Sequence, residues 1–556
     1  MIVLISSSLF SLFLFLILGI SASKCTKLKF SIIDTLLTGM VIANTLTSII
    51  SLFSAINLSV FIGFIILCSC LCFYIKQELK HFLLVFKSNK YSIYWSLPFI
   101  IIATLVAIGP ITNYDTGLYH LQAINWIETY KVVPGLANIH GRFGFNPNCF
   151  TLSALTSFKA IFNEGIYSLN YTILIICIIY YINKLVVLYF QKGVSFLLLL
   201  YAIILYTILG GYRDLTSPSP DFIVLCLPLY VISRLIEINI EKKNIILKDY
   251  IPLLLICVYI LTVKLSTLPI LIIFIYIIFS SKLTLKRSIN LSILVVLIAL
   301  PWLVRNIIIS GWLIYPAAVI DIFNPDWKVP IDQVINEKNA VTGWARNPGE
   351  HYLEAAKMNV HEWFPIWWDN QDVTLKRYLL VCLLLPIFST FTYFFIKKQI
   401  PKTAFTIVLT GFLGSIFWFN MAPTLRFGES FLLIAALSPL IFLIFSKPYH
   451  GFIKHKLGFL VIIFFLAFTF QKNALKLNYN EILKNVVYLA HNPVFIDKPT
   501  DLTFFSKQCH GFSVNVPSTG DRCFDCPLPC TPYPDTNLVL RGATFKDGFK
   551  TINNRN

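Results

Sequence analysis

An all-α polytopic membrane protein of about 14 membrane helices is the fold class that three observations predict. The 556 residues are 57% hydrophobic and 13% charged, with a mean hydropathy of +0.74, a balance that a water-soluble globular domain does not carry. Apolar runs of roughly 18 or more residues, each able to cross about 30 Å of hydrocarbon as a helix, recur from one end of the chain to the other. The basic residues gather in the short connectors between these runs.

The first run, 3–22, has no Lys or Arg ahead of its apolar core, so it reads as a membrane helix and not as a secretory signal. Lys24, Lys27 and Lys29 flank its far end. Crossings follow at 31–53, 57–76, 92–110, 167–190, 194–210 and 221–239. The stretch 250–280 is too long for one ordinary crossing and is interrupted by "TVKLSTLP", which predicts two short helices joined near Lys264. The remaining runs are 288–309, 376–396, 403–419, 429–446 and 457–471.

Threading these segments alternately puts every Lys-rich connector on one side, which the positive-inside rule makes cytoplasmic. The net charge of +18 is therefore topological, and no nucleic-acid motif accompanies it. The expected organisation is a membrane domain over 1–471, with outer loops 111–164, 211–220, 310–376 and 420–429, followed by a more polar extracytoplasmic region over 472–556. No internal repeat is visible.

The outer loops hold the unusual side chains. In "NYDTGLYHLQAINWIETY" a helix starting near Asp115 stacks Asp115, Tyr119, Gln122 and Trp126 on one face, with His120, His140 and Arg142 close by in sequence. The plainer reading makes Asp115 a helix cap. "GGYRDLTSPSPDF" supplies Arg213, Asp214 and Asp221, and Asp221 can equally cap the next helix. Lys264 sits among apolar and hydroxyl residues, where an ammonium costs roughly 2.5–3.5 kcal/mol at mid-bilayer unless it snorkels or finds an anion. Arg305 lies late in a crossing, near its outer end, and Arg426 in an outer loop, and a guanidinium fork suits a phosphate.

The 310–376 loop carries Trp327, Trp344, Trp363, Trp367 and Trp368, which read as an interfacial belt or a sugar-stacking surface, and 348–360 reads as a surface helix. Cys509, Cys523, Cys526 and Cys530 crowd the C-terminal region, where disulfides are the default and zinc would favour two separated pairs.

"NYDTGLYH", placed after an early membrane helix, resembles the first outer loop of the GT-C class of integral-membrane glycosyltransferases, which carries an essential Asp or Glu. The segments "YDTGLYHLQAINWIETYKVVPGLANIHGRFGFN" and "PLPCTPYPDTNLVLRGATFKDGF" also resemble an uncharacterised family of bacterial polytopic membrane proteins. The GT-C resemblance implies transfer of a sugar from a polyprenyl-phosphate-type lipid donor to a glycan or lipid acceptor of the cell envelope. The reaction would take place at the extracytoplasmic face of a bacterial cytoplasmic membrane. It assigns Asp115 to catalysis and Tyr119, His120, Gln122, His140, Arg142, Arg213, Asp214, Asp221, Lys264, Arg305 and Arg426 to the substrate. Neither an Asp-Glu nor a Glu-x-Asp pair stands at Asp115, and His120 lies roughly 140° round an α-helix from it, so no metal site is encoded. The cofactor question stays open, a divalent metal having no support from spacing. The alternatives are an envelope-lipid transporter or flippase and a non-catalytic polysaccharide-assembly protein.

Overall fold

The computed structural model describes residues 2–476, apart from short breaks at 89, 242–244, 282–283, 350, 396–399, 448–450 and 454–455, together with 502–552. Each of the fourteen apolar segments contains helix, because a chain in hydrocarbon must satisfy its backbone groups internally. Among the described residues, seven helices are long and apolar enough to span a membrane, or up to nine when each bent pair counts as one span. Fourteen full crossings are therefore more than length and composition support. Several segments are short, such as Leu271–Ser280, or bent, such as Leu58–Tyr74, which turns by 83° into the helix that follows.

Local signals set the boundaries. Ser31 caps Ile32–Ser51 through its hydroxyl, which accepts from the Asp34 amide at 3.1 Å. Ser195 does the same for Phe196–Gly210, at 3.3 Å from the Leu198 amide. The predicted break at Lys264 is present. Leu247–Val263 ends there, Lys264 is extended, and a 3₁₀ turn over Leu265–Ile270 leads into Leu271–Ser280. The Thr267 hydroxyl sits 2.7 Å from the Lys264 carbonyl and 3.3 Å from that of Ile260, and so meets carbonyls that the broken helix leaves exposed.

Pro220–Glu241 is the central helix, 83% buried along its most apolar stretch, against 33% for Leu285–Ser310. The first two helices pack closely at Gly39, where a Cβ would come within 1.7 Å of the Phe15 carbonyl oxygen. Strands are few and paired antiparallel: Val194–Ser195 with Gly451–Ile453, Phe504–Cys509 with Phe512–Pro517, and Leu538–Leu540 with Phe549–Thr551.

Two loop expectations change. The surface helix expected at 348–360 shrinks to one turn, Tyr352–Ala355, between Ile331–Arg346 and Val360–Asp369, the last of which starts at an Asn359–Glu362 capping box. Trp363 and Trp367 are buried in a small core with Trp418, Leu379 and Leu432, whereas Trp344 stays exposed.

Candidate functional site

The site grows from the 111–164 segment. Asp115 precedes a π-helical turn, Thr116–His120, which runs into the α-helix Leu121–Thr129. The π turn, with hydrogen bonds five residues apart, replaces the α-helical spacing expected between Asp115 and His120, and the His120 imidazole is buried. Burial pushes His120 down to about 4, so the ring is neutral at neutral pH, and its Nδ1 has no hydrogen-bond partner among the described residues.

Both oxygens of Asp115 are engaged. Oδ1 accepts from Arg142 Nη1 at 2.9 Å and Oδ2 from Arg426 Nη1 at 2.7 Å. Arg142 also faces Glu337 at 3.6 Å, Arg426 faces Asp221 at 3.5 Å, and Lys264 pairs with Asp221. The result is one alternating series, Glu337–Arg142–Asp115–Arg426–Asp221–Lys264, whose charges come from five separate segments of the chain. Burial alone would raise the Asp115 carboxyl, but Arg426, the protonated form that His120 reaches in acid, and Arg142 together bring it down to about 2. The Arg426 side chain remains 39% exposed, against 13% for Asp115 and 6% for Asp221, so the cluster has an open cationic edge.

Each partner is fixed by its own element. Asp221 stands in the first turn of Pro220–Glu241, where the helix dipole favours a carboxylate. Lys264 reaches it because the helix breaks there, and its ammonium lies 3.8 Å from the centre of the Phe427 ring. Lys264 is thus held by an anion and a ring, without needing to snorkel to the interface. His140 caps the turn Gly141–Phe145, its Nδ1 accepting from the Arg142 amide at 3.2 Å, and so positions Arg142; its Nε2 lacks a partner among the described residues.

Asn113 donates to Asp214 at 2.7 Å. Asn170 donates to the carbonyls of Asp214, Ser217 and Ser219 at 2.9–3.1 Å, shaping the 211–220 loop. Asp214 lies within electrostatic reach of Asp221, and Glu429 within reach of Asp214.

Of the remaining expected site residues, Tyr119 borders the cluster, and Gln122 and Arg305 serve other contacts. Tyr119 is buried beneath the Arg142 guanidinium, 5.9 Å from the centre of its ring. Gln122 belongs to a tether: its Nε2 donates to the carbonyls of Cys526 at 2.7 Å and Phe524 at 3.2 Å. Arg213 is exposed, and its side chain joins no ion pair among the described residues. Arg305 is buried away from Asp115, on Asn146 at 3.2 Å and Ser51 at 2.7 Å.

Glu337, Asn113, Asn170 and Glu429 carry no sequence signal beyond their polarity. Of the four tail cysteines, Cys523 and Cys530 form a disulfide, whereas Cys509 and Cys526 are free. Among the described residues no group of three or more His, Cys, Asp or Glu side chains forms a metal-binding cluster.

The tail covers this region. The Phe524 amide donates to the Gly117 carbonyl at 2.8 Å, and a Cβ on Gly117 would meet the Phe524 ring at 2.8 Å, so only glycine allows the contact. Tyr114 bonds to Asp521, Thr531 donates to the Ile139 carbonyl at 3.1 Å, and Phe549 packs on Trp126.

The family described as Domain of unknown function (DUF8201) matches residues 1–433. The chain belongs to this family. No curated protein and no solved structure matches it. The DUF8201 span contains every member of the charge series, from Asp115 to Arg426, while the described tail, 502–552, lies beyond it.

Proposed function

We propose that this DUF8201 protein is a GT-C-type glycosyltransferase that moves a sugar from a polyprenyl-phosphate-type donor to a cell-envelope acceptor at the outer face of a bacterial cytoplasmic membrane. The observation that carries the reading is the meeting of one carboxylate, Asp115, with Arg142 and Arg426, and of Lys264 one ion pair further on.

In this scheme the acceptor hydroxyl oxygen attacks the anomeric carbon from the face opposite the phosphate. The bond from that carbon to the phosphate oxygen breaks, and its electron pair leaves with the lipid phosphate. Arg426 and Lys264 stabilise the developing charge, and the hydroxyl proton passes to Asp115. A carboxyl held at about 2 is a weak base. It gains basicity when the donor phosphate draws the arginines toward itself, which couples donor binding to activation of the acceptor. His120 and Tyr119 line the buried side, and Arg142 orients Asp115.

One observation favours the transporter reading. A second charged group, in which Arg234 meets Asp34 at 3.0 Å and Glu237 at 2.8 Å and Lys184 meets Glu237 at 3.0 Å, lies toward the opposite end of the helix that starts with Asp221. Charge stations at both ends of one central helix suit movement of a headgroup.

Mass spectrometry of lipid-linked sugars and envelope glycans from a deletion strain complemented with wild type or Asp115→Asn separates the two. The enzyme reading expects product to fall by roughly a hundredfold or more while the lipid-linked donor accumulates. Unchanged product with Asp115→Asn would refute it.

A further inference from the structure

Arg305 presents a problem that the charge series does not solve. It is 3% exposed, inside Leu285–Ser310, and its hydrogen bonds go to neutral groups: Nε to Asn146 Oδ1 at 3.2 Å and Nη1 to Ser51 Oγ at 2.7 Å. Among the described residues no carboxylate pairs with it or acts on it electrostatically. A buried guanidinium without a counter-charge is costly by several kcal/mol. Asn146 does not relieve that cost, because it is neutral and already committed, its Nδ2 donating to Asn306 at 2.8 Å.

Arg305 lines a small cavity together with Arg142, Trp126, Ile127, Phe150 and Ile309. The Trp126 indole N–H, on a ring 2% exposed, has no hydrogen-bond partner among the described residues. Two guanidinium groups and an orphan N–H donor therefore line one cavity, whose other lining residues are mostly apolar but include Lys131 and Asn146. Its volume, about 20 Å³, exceeds the roughly 10–15 Å³ that one water needs, so a single small ion has room there. A mostly apolar lining favours a weakly hydrated ion over a phosphate, which needs several donors at once.

We infer that this cavity is a halide site, in which a chloride-sized monovalent anion neutralises Arg305 and accepts from the Trp126 N–H. It is separate from the proposed transfer site and independent of that reading. Arg142 links the two, because it faces this cavity and also holds Asp115.

The test uses the full chain in detergent, with thermal stability followed at constant ionic strength as sodium gluconate is replaced by chloride, bromide or phosphate. A saturable rise with chloride and bromide, absent with phosphate, is expected. Trp126→Phe should weaken the apparent chloride affinity about tenfold by removing one donor to the anion, and Arg305→Gln should abolish the dependence. If Arg305→Gln does not fold, Trp126→Phe and Arg305→Lys decide, the lysine retaining a weaker halide response. Stability indifferent to chloride, a Trp126→Phe response equal to wild type, or a stronger response to phosphate would each overturn the assignment.

Discussion

Replacing Asp115 by Asn removes the one anion that two arginines share, and the size of the effect follows from the carboxyl. Held at about 2 against an ordinary 3.8, it contributes about 2–3 kcal/mol of stability at neutral pH, at 1.36 kcal/mol per unit. The folded state depresses this group, so the contribution is fully present above about pH 4 and is lost as pH falls toward about 2. The side chain is only 13% exposed, so solvent screening removes little of it. Asp115→Asn should therefore be less stable than wild type by about 2 kcal/mol at pH 7, with the gap closing between about pH 4 and pH 2. Fluorescence-detected size-exclusion after heating, repeated along a pH series for both proteins, measures the gap. A variant as stable as wild type at pH 7, or a gap that persists undiminished below pH 3, would refute the electrostatic account of the cluster.

Other expectations concern the surroundings. Gly117→Leu drives a side chain into the Phe524 ring, so it should cost about 1–3 kcal/mol and expose the 502–552 tail to limited proteolysis. Glu237→Gln weakens the partner shared by Arg234 and Lys184 and should cost about 3–5 kcal/mol, read as lost folded yield in detergent. Non-reducing peptide mapping should recover Cys523 linked to Cys530, while Cys509 and Cys526 alkylate once the chain is denatured. Trp363→Ala should open a cavity in the small aromatic core and cost about 3–5 kcal/mol in a thermal melt.

Much of the fold is legible because hydrocarbon imposes local rules. Apolar runs become helices, and the hydroxyl-rich interruption at Lys264 predicts a break that is there. The site is legible in part. A lysine inside an apolar run must either snorkel or find an anion, and Asp221, in the first turn of another helix, supplies the anion.

The pairing of Arg426 with Asp115 spans 311 residues and leaves no local trace, and Glu337 looks like an ordinary loop acid until Arg142 is placed beside it. The π turn at Thr116–His120 defeats an α-helical wheel, because its hydrogen bonds run five residues apart. Arg305, near the outer end of a crossing, and Arg426, in an outer loop, both read in sequence as phosphate-binding candidates, yet tertiary packing sends one to neutral amide and hydroxyl partners and the other to two carboxylates. Gln122 and His140 sit in a polar stretch that invites a substrate role, but their hydrogen bonds serve the tail and the Arg142 turn.

Donor binding tests the central claim most directly. Native mass spectrometry of the purified chain with polyprenyl phosphate, comparing wild type, Asp115→Asn and Arg426→Gln, reads whether the cations serve a lipid phosphate. Asp115→Asn, which frees two arginines, should bind at least as tightly as wild type, and Arg426→Gln should bind about tenfold or more weakly. Equal binding by all three proteins would contradict the account.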